Sequence, residues 1–162
     1  MTIPAFEEFQ PALEHMFDIH IDLETPQMIG QTPAGMRQVY VVKGGTVDGP
    51  RLKGELLPGG GDWGTLRPDS FIQLDVRATM RADDGALIYS YYGGITGDVL
   101  KVAGRIFGGE DVPLSEYYSY ITPQFQTAAP QHEWLNRIVG VGRGRIVPGG
   151  VEYRVWALAN PS

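Results

Sequence analysis

Three groups of residues in this sequence have the types and spacing to do acid/base chemistry. The first is Asp75-Val76-Arg77, where a carboxylate and a guanidinium stand two positions apart and so share one face of a strand. A carboxylate in an enclosed space has its pKa raised by desolvation and can act as acid or base near neutrality, and an adjacent cation can stabilise a developing oxyanion. The competing reading is an ion pair on a solvated strand face, which contributes little. The second is Asp62-Trp63, presented just beyond Pro58-Gly59-Gly60-Gly61. It offers another acid beside an aromatic wall, or else an aspartate that caps a glycine turn next to a core tryptophan. The third is the tyrosines. Tyr89 joins Asp75 and Arg77 as a candidate catalytic group, and Tyr40, Tyr91, Tyr118 and Tyr120 are candidates for binding a phenolic or carbonyl oxygen. Trp134 could exclude water, and Asn136 could orient a carbonyl or simply end a helical turn.

Other chemistries find no support. His15, His20 and His132 are too scattered for a recognisable metal motif, so no metal is expected. Gly140-Val141-Gly142-Arg143-Gly144 is followed by strand-like sequence where a nucleotide loop needs a helix N-terminus, and no cofactor is expected. Ser70, Ser90, Ser115 and Ser119 lie in no nucleophile elbow. The chain has no cysteine, hence no thiol nucleophile and no disulfide framework. A net charge of −6 without a basic stripe argues against nucleic acid. No basic-then-apolar leader and no run of about 18 apolar residues is visible, which makes a membrane partner unexpected and the cytoplasm the expected compartment.

The elements that must position these residues are strands. From Phe71 to Arg81, polar Gln73, Asp75, Arg77, Thr79 and Arg81 alternate with Ile72, Leu74, Val76, Ala78 and Met80. Asp84-Gly85 suits a two-residue type I′ turn, and Leu87–Tyr92 then returns. That turn predicts Met80 opposite Tyr89, Ala78 opposite Tyr91 and Arg77 opposite Tyr92. One hairpin face would carry Asp75, Arg77, Thr79, Ser90 and Tyr92, and the other Leu74, Val76, Ala78, Met80, Leu87, Tyr89 and Tyr91. A slip of one residue would exchange the faces of one strand.

Elsewhere, Leu13–Leu23 alternates as a long strand, and Thr25–Gly35 reads as a loop able to cover a barrel mouth. Met36–Lys43 reads as a strand closed by a corner at Gly44-Gly45, and Arg51–Leu57 as extended chain with Gly54 at a bulge. Val99–Phe107 and Tyr117–Thr122 read as further strands. Gln131–Arg137 reads as a short helical turn, and Ile138–Ile146 with Val151–Leu158 as a terminal hairpin. With 22 Gly and 12 Pro as punctuation, the 162 residues predict one all-β domain. It would be a single antiparallel β-barrel of roughly eight to ten strands, with residues 1–11 an arm and 12–158 the barrel. A two-sheet sandwich is the rival architecture.

Several ordered motifs carry a family resemblance over Leu13 to Leu158. They are Gly44-Gly45, Gly49-Pro50, Gly54, the run Pro58 to Trp63, Leu74-Asp75-Val76-Arg77, Asp83 to Tyr89, Thr122-Pro123 and Trp134-Leu135-Asn136. With them the chain resembles the domain-of-unknown-function 3237 family. The resemblance implies a small antiparallel barrel, and it maps family motif positions onto Asp62, Trp63, Asp75, Arg77, Asp84, Gly85, Tyr89, Trp134 and Asn136. It brings no settled activity.

The residues support a cofactor-independent enzyme that moves a proton within a small oxygenated, partly hydrophobic molecule in a barrel cavity. Isomerases, hydratase/dehydratase-type lyases and cyclases all work this way. A carrier using the same barrel without chemistry is the alternative, and a homo-oligomer is a further expectation.

Overall fold

In the computed structural model, which describes residues 5 and 9–160, the alternation at Phe71–Arg81 becomes the strand β7, Ile72–Ala82. Leu74, Val76, Ala78, Met80 and Ala82 are buried, while Gln73, Asp75, Arg77 and Arg81 are exposed. The chain reaches it through β1 (Ala12–Leu23), β2 (Gln27–Thr32), β3 (Gly35–Asp48), β4 (Gly54–Leu56), β5 (Gly61–Asp62) and β6 (Thr65–Leu66). It continues through β8 (Leu87–Gly97), helix α1 (Val99–Phe107), β9 (Tyr118–Ile121), β10 (Gln124–Gln126), a 3₁₀ helix at Pro130–Arg137, β11 (Gly140–Val147) and β12 (Gly150–Ala159).

All the pairings are antiparallel, and they close on themselves. From β7 the hydrogen bonds run through β8, β9, β11, β12, β1 and β3, and return to β7 through the short strands β4, β5 and β6. Closure removes the sheet edges, so this is a barrel and not a sandwich. Its filling includes Met16, Phe17, Val42, Val76, Met80, Ile88, Ile121, Leu135 and Val155.

Four expectations are corrected. The β7–β8 turn has three loop residues, not two: the Ala82 amide bonds the Ala86 carbonyl at 2.9 Å, the Gly85 amide bonds the Ala82 carbonyl at 2.8 Å, and Gly85 has φ +88°. This is a turn followed by a left-handed glycine bulge. It sets Met80 opposite Ile88, Ala78 opposite Ser90 and Arg77 opposite Tyr91. The register thus differs by one residue, so Ser90 and Tyr92 share the buried face with Val76 while Leu87, Tyr89 and Tyr91 turn outward.

Second, Val99–Phe107 is an α-helix, with Val99, Val102 and Ile106 buried at the spacing of one helical face. Its apolar side joins Val112 and Tyr117 in a satellite cluster apart from the main core. Third, the stretch Thr25–Gly35 contains β2, which forms a hairpin with the start of β3. Fourth, β3 does not turn at Gly44-Gly45. It runs on to Asp48 through an irregularity opposite Asp22 and Leu23, and a side chain on Gly45 would collide with the His20 carbonyl at 2.0 Å. The chain also holds more strands than the eight to ten expected, because the stretch before β7 is cut into three short ones.

Candidate functional site

A cavity of about 620 Å³ opens at one end of the barrel, walled by strand residues and by α1. Its geometry follows from register. Paired residues on antiparallel strands point to the same side. Tyr40 pairs with Asp62, Asp62 with Val76, and Val76 with Tyr92, so this row crosses β3, β5, β7 and β8 on the inner face. Tyr40 and Asp62 line the cavity, and Tyr92 lies buried beside them.

Asp62 occupies an interruption in the ladder between β5 and β6. One of its carboxylate oxygens, Oδ1, accepts the Asp75 amide at 3.0 Å, while the Asp75 carbonyl accepts the Trp63 amide at 2.9 Å. The Asp62 carboxyl is therefore held from the backbone, with no cation beside it. Burial, with the Asp75 charge adding to it against that single hydrogen bond, lifts its pKa from 3.8 to about 6.

The neighbouring tyrosines are shifted too. Burial and the Asp62 charge raise Tyr40, and both effects act on the buried Tyr153, which is pushed well above its ordinary value. Tyr92, whose ring centroid is 5.7 Å from that of Tyr153, is also raised, by burial and by these neighbours. All three stay protonated at neutral pH, so each keeps a hydroxyl proton to donate and none serves as a base there. Tyr40 donates to Gln38 Oε1 at 3.3 Å, and Gln38 also lines the cavity. Across the lumen, Thr96 and Ser119 are buried and hydrogen-bond at 3.1 Å. Gly144 makes room for this side, since a Cβ there would lie 2.4 Å from Ser119 Oγ and 2.9 Å from Tyr153 Cε1. The glycines of Gly140–Gly144 thus serve packing within β11.

Of the residues singled out from sequence, the structure brings Tyr40 and Asp62 together in the cavity. Asp75, Arg77 and Tyr89 are on the outer surface: Asp75 and Arg77 form an ion pair at 2.9 Å with both side chains about half exposed, and Tyr89 stacks on Tyr91 with centroids 5.4 Å apart. Tyr118 and Tyr120 form a second exposed pair at 4.8 Å. Trp63 is 40% exposed, and its carbonyl accepts Arg37 Nη1 at 2.6 Å. Trp134 packs against the core, with the Arg51 guanidinium 3.7 Å above its ring. Asn136 pins Thr127, accepting its amide at 2.8 Å and donating to its carbonyl at 2.9 Å. Of these nine, only Asp75 and Trp63 adjoin the Asp62 site, both through their backbones. Sequence reasoning missed Gln38, Thr96, Ser119 and Tyr153. The available signal was the pairing parity, which depends on turn length.

The fold and site define a closed antiparallel barrel with a cavity at one end that is lined by Asp62 and a largely apolar wall. The chain belongs to the family of proteins of unknown function DUF3237, which matches residues 11–158. It is 36% identical over 147 residues to a UPF0311 protein of Clostridium acetobutylicum, a match covering 90% of this chain and 93% of that one. Among solved structures, a β-barrel-like protein from Acinetobacter baumannii superposes with a TM-score of 0.80 at 32% identity, over 98% of this chain and 99% of the other. A protein described as an enzyme from Penicillium herquei superposes with a TM-score of 0.69 at 20% identity, over 98% of each chain, and shares the fold.

Proposed function

We propose that this protein is a cofactor-independent enzyme that moves a proton within an oxygenated, partly hydrophobic small molecule held in the barrel cavity, with Asp62 as the acid/base. The observation that carries this reading is a desolvated carboxyl with a pKa near 6 at the floor of a cavity large enough for an organic substrate. At neutral pH most Asp62 side chains are ionised and a minority protonated, so the group can both accept and return a proton. The proton leaves one atom of the substrate for the carboxylate and is delivered to another, so no oxidant is consumed; a hydration in addition takes up one water and a dehydration releases one. Isomerisation, hydration or dehydration, and cyclisation are the reactions of this type.

Tyr40, kept protonated, donates its hydroxyl hydrogen bond to Gln38 Oε1 at 3.3 Å, and a substrate oxygen that gains charge would take that hydrogen bond in place of Gln38. The Penicillium protein's description as an enzyme is in keeping with catalysis on this fold. The role first considered for Asp75 moves to Asp62 because Asp75 faces away from the lumen.

A carrier is the second reading, favoured by the apolar walls and by the presence of one partly buried acid where two converging acids would point more directly to catalysis. The experiment is incubation in deuterated water with a panel of small hydroxylated and carbonyl compounds, followed by mass spectrometry and NMR. Deuterium incorporation that is lost in Asp62→Asn and reduced in Tyr40→Phe supports the enzyme. Full turnover by Asp62→Asn removes Asp62 from the chemistry, and binding without exchange moves the reading to the carrier.

A further inference from the structure

Charge is distributed unequally around this cavity. Among the described residues that line it, the ionisable ones are Glu24, Asp62, Tyr40 and Tyr153, and none is Lys, Arg or His. Several basic residues of nearby elements are engaged elsewhere. Lys101 on α1 pairs with Asp98 at 2.7 Å, and Arg105 pairs with Glu110 and Glu116. Arg145 on β11 pairs with Glu152, and Arg37 on β3 donates to the Trp63 carbonyl. The N-terminus of α1, whose dipole could favour an anion, already has the Asp98 carboxylate beside it.

We propose that the ligand of this cavity is a molecule of fused-ring size that carries no anionic group and donates a hydrogen bond to the Asp62 carboxyl, and that the site rejects carboxylates and phosphate esters. This rests on the acid/base reading of Asp62.

Three considerations lead there. An anion entering the cavity would be stripped of water and set against two carboxylates with no counter-charge, which is the costliest kind of burial. A cation would be attracted, but it would undo the site. The side chains facing Asp62 are Tyr40 from β3, Tyr92 from β8 and Tyr153 from β12, Asp75 of β7 acts on it through its backbone amide and its outward charge, and none is basic. An ammonium placed among them would pull the Asp62 proton affinity back to that of an ordinary carboxylate and remove its use near neutrality. Finally, polarity is graded: hydrogen-bonding groups sit around Asp62, whereas Ile72, Leu74, Val99, Ala103, Ile146 and Val151 supply apolar wall. A volume of about 620 Å³ is within the range that accepts a ring system rather than a two- or three-carbon fragment.

The test uses three matched fluorescent probes, 1-pyrenemethanol, 1-pyrenemethylamine and 1-pyrenecarboxylate, titrated into the protein at neutral pH. The alcohol is expected to bind at least ~10-fold more tightly than the carboxylate, a difference of about 1.4 kcal/mol or more, and the amine, attracted by Glu24 and Asp62, to bind no more weakly than the alcohol. In Asp62→Asn, Oδ1 can still accept the Asp75 amide while the oxygen available to the ligand is replaced by an N–H donor. The alcohol-over-carboxylate preference should then shrink at least ~10-fold. Glu24→Lys, at the exposed rim, should raise carboxylate affinity without involving the floor. Tightest binding by the carboxylate overturns the proposal, as does an alcohol-over-carboxylate preference untouched by Asp62→Asn, and so does failure of all three probes to bind. The acid/base reading fails separately: if Asp62→Asn keeps turnover while losing the preference, the charge assignment stands and the catalytic one falls.

Discussion

Replacing Asp62 by Asn should make the protein more stable at neutral pH, by an amount that depends on pH in a defined way. Burial raises the native-state pKa of Asp62 from 3.8 to about 6. Between those values the native state holds a proton that the unfolded chain has lost, so stability falls as pH rises through this window. At about 1.4 kcal/mol per pH unit, the full cost of ionising Asp62 in place is about 3 kcal/mol, complete above about pH 7 and absent below about pH 3.5. Asparagine never ionises and can keep the acceptor for the Asp75 amide, so it escapes this cost. For a domain of this length about 3 kcal/mol corresponds to roughly 6–12 °C in Tm. Other carboxylates, such as Asp18 beside Arg154 and Glu152 beside Arg145, are held below their ordinary range and lose stabilisation in acid, but they are common to both proteins and cancel in the difference. The assay is urea unfolding of wild type and Asp62→Asn at half-unit steps from about pH 3.5 to 8. A stability difference that is flat across that range, or a variant less stable than wild type at pH 8, would refute a desolvated Asp62.

Asp75→Asn breaks only an exposed ion pair and should change stability by less than about 1 kcal/mol, with deuterium exchange into substrate unaltered. Gly144→Ala pushes a methyl group against Ser119 and Tyr153, and a loss of about 1–3 kcal/mol in urea unfolding is expected. Val102→Ala should selectively weaken amide-exchange protection over residues 99–107, because Val102 belongs to the satellite cluster and not to the barrel core; equal loss of protection across the barrel strands would contradict that separation. Ile88→Ala empties a fully buried inner position that sequence counting had not placed there, and it should cost about 2–5 kcal/mol, whereas the outward Leu87→Ala should cost far less.

The alternation in β7, the long strand β1, the terminal hairpin and the glycine-bounded segments were legible because a pleated, half-buried strand imposes a period of two on its own residues. Tyr40 and Asp62 were also legible as candidates, the latter because a glycine run marks a place where the backbone bends tightly. Local sequence could not decide three further things. Val99–Phe107 satisfies a strand period, yet Val99, Val102 and Ile106 equally form one helical face, and packing onto Val112 and Tyr117 selects the helix. Asp83-Asp84-Gly85 permits a two- or a three-residue loop, and the difference of one residue carries Tyr92 inward and Tyr89 outward. The properties of the site depend on closure of the barrel: Asp62 lies far along the chain from Tyr153, and only when β3, β5, β7, β8 and β12 enclose it is its carboxyl stripped of water and its pKa raised. The sequence by itself therefore determined an all-β chain with a glycine-presented acid. Tertiary structure alone decided which strand faces form the lumen and which aspartate lines it, because desolvation belongs to the assembled ring of strands and not to any one of them.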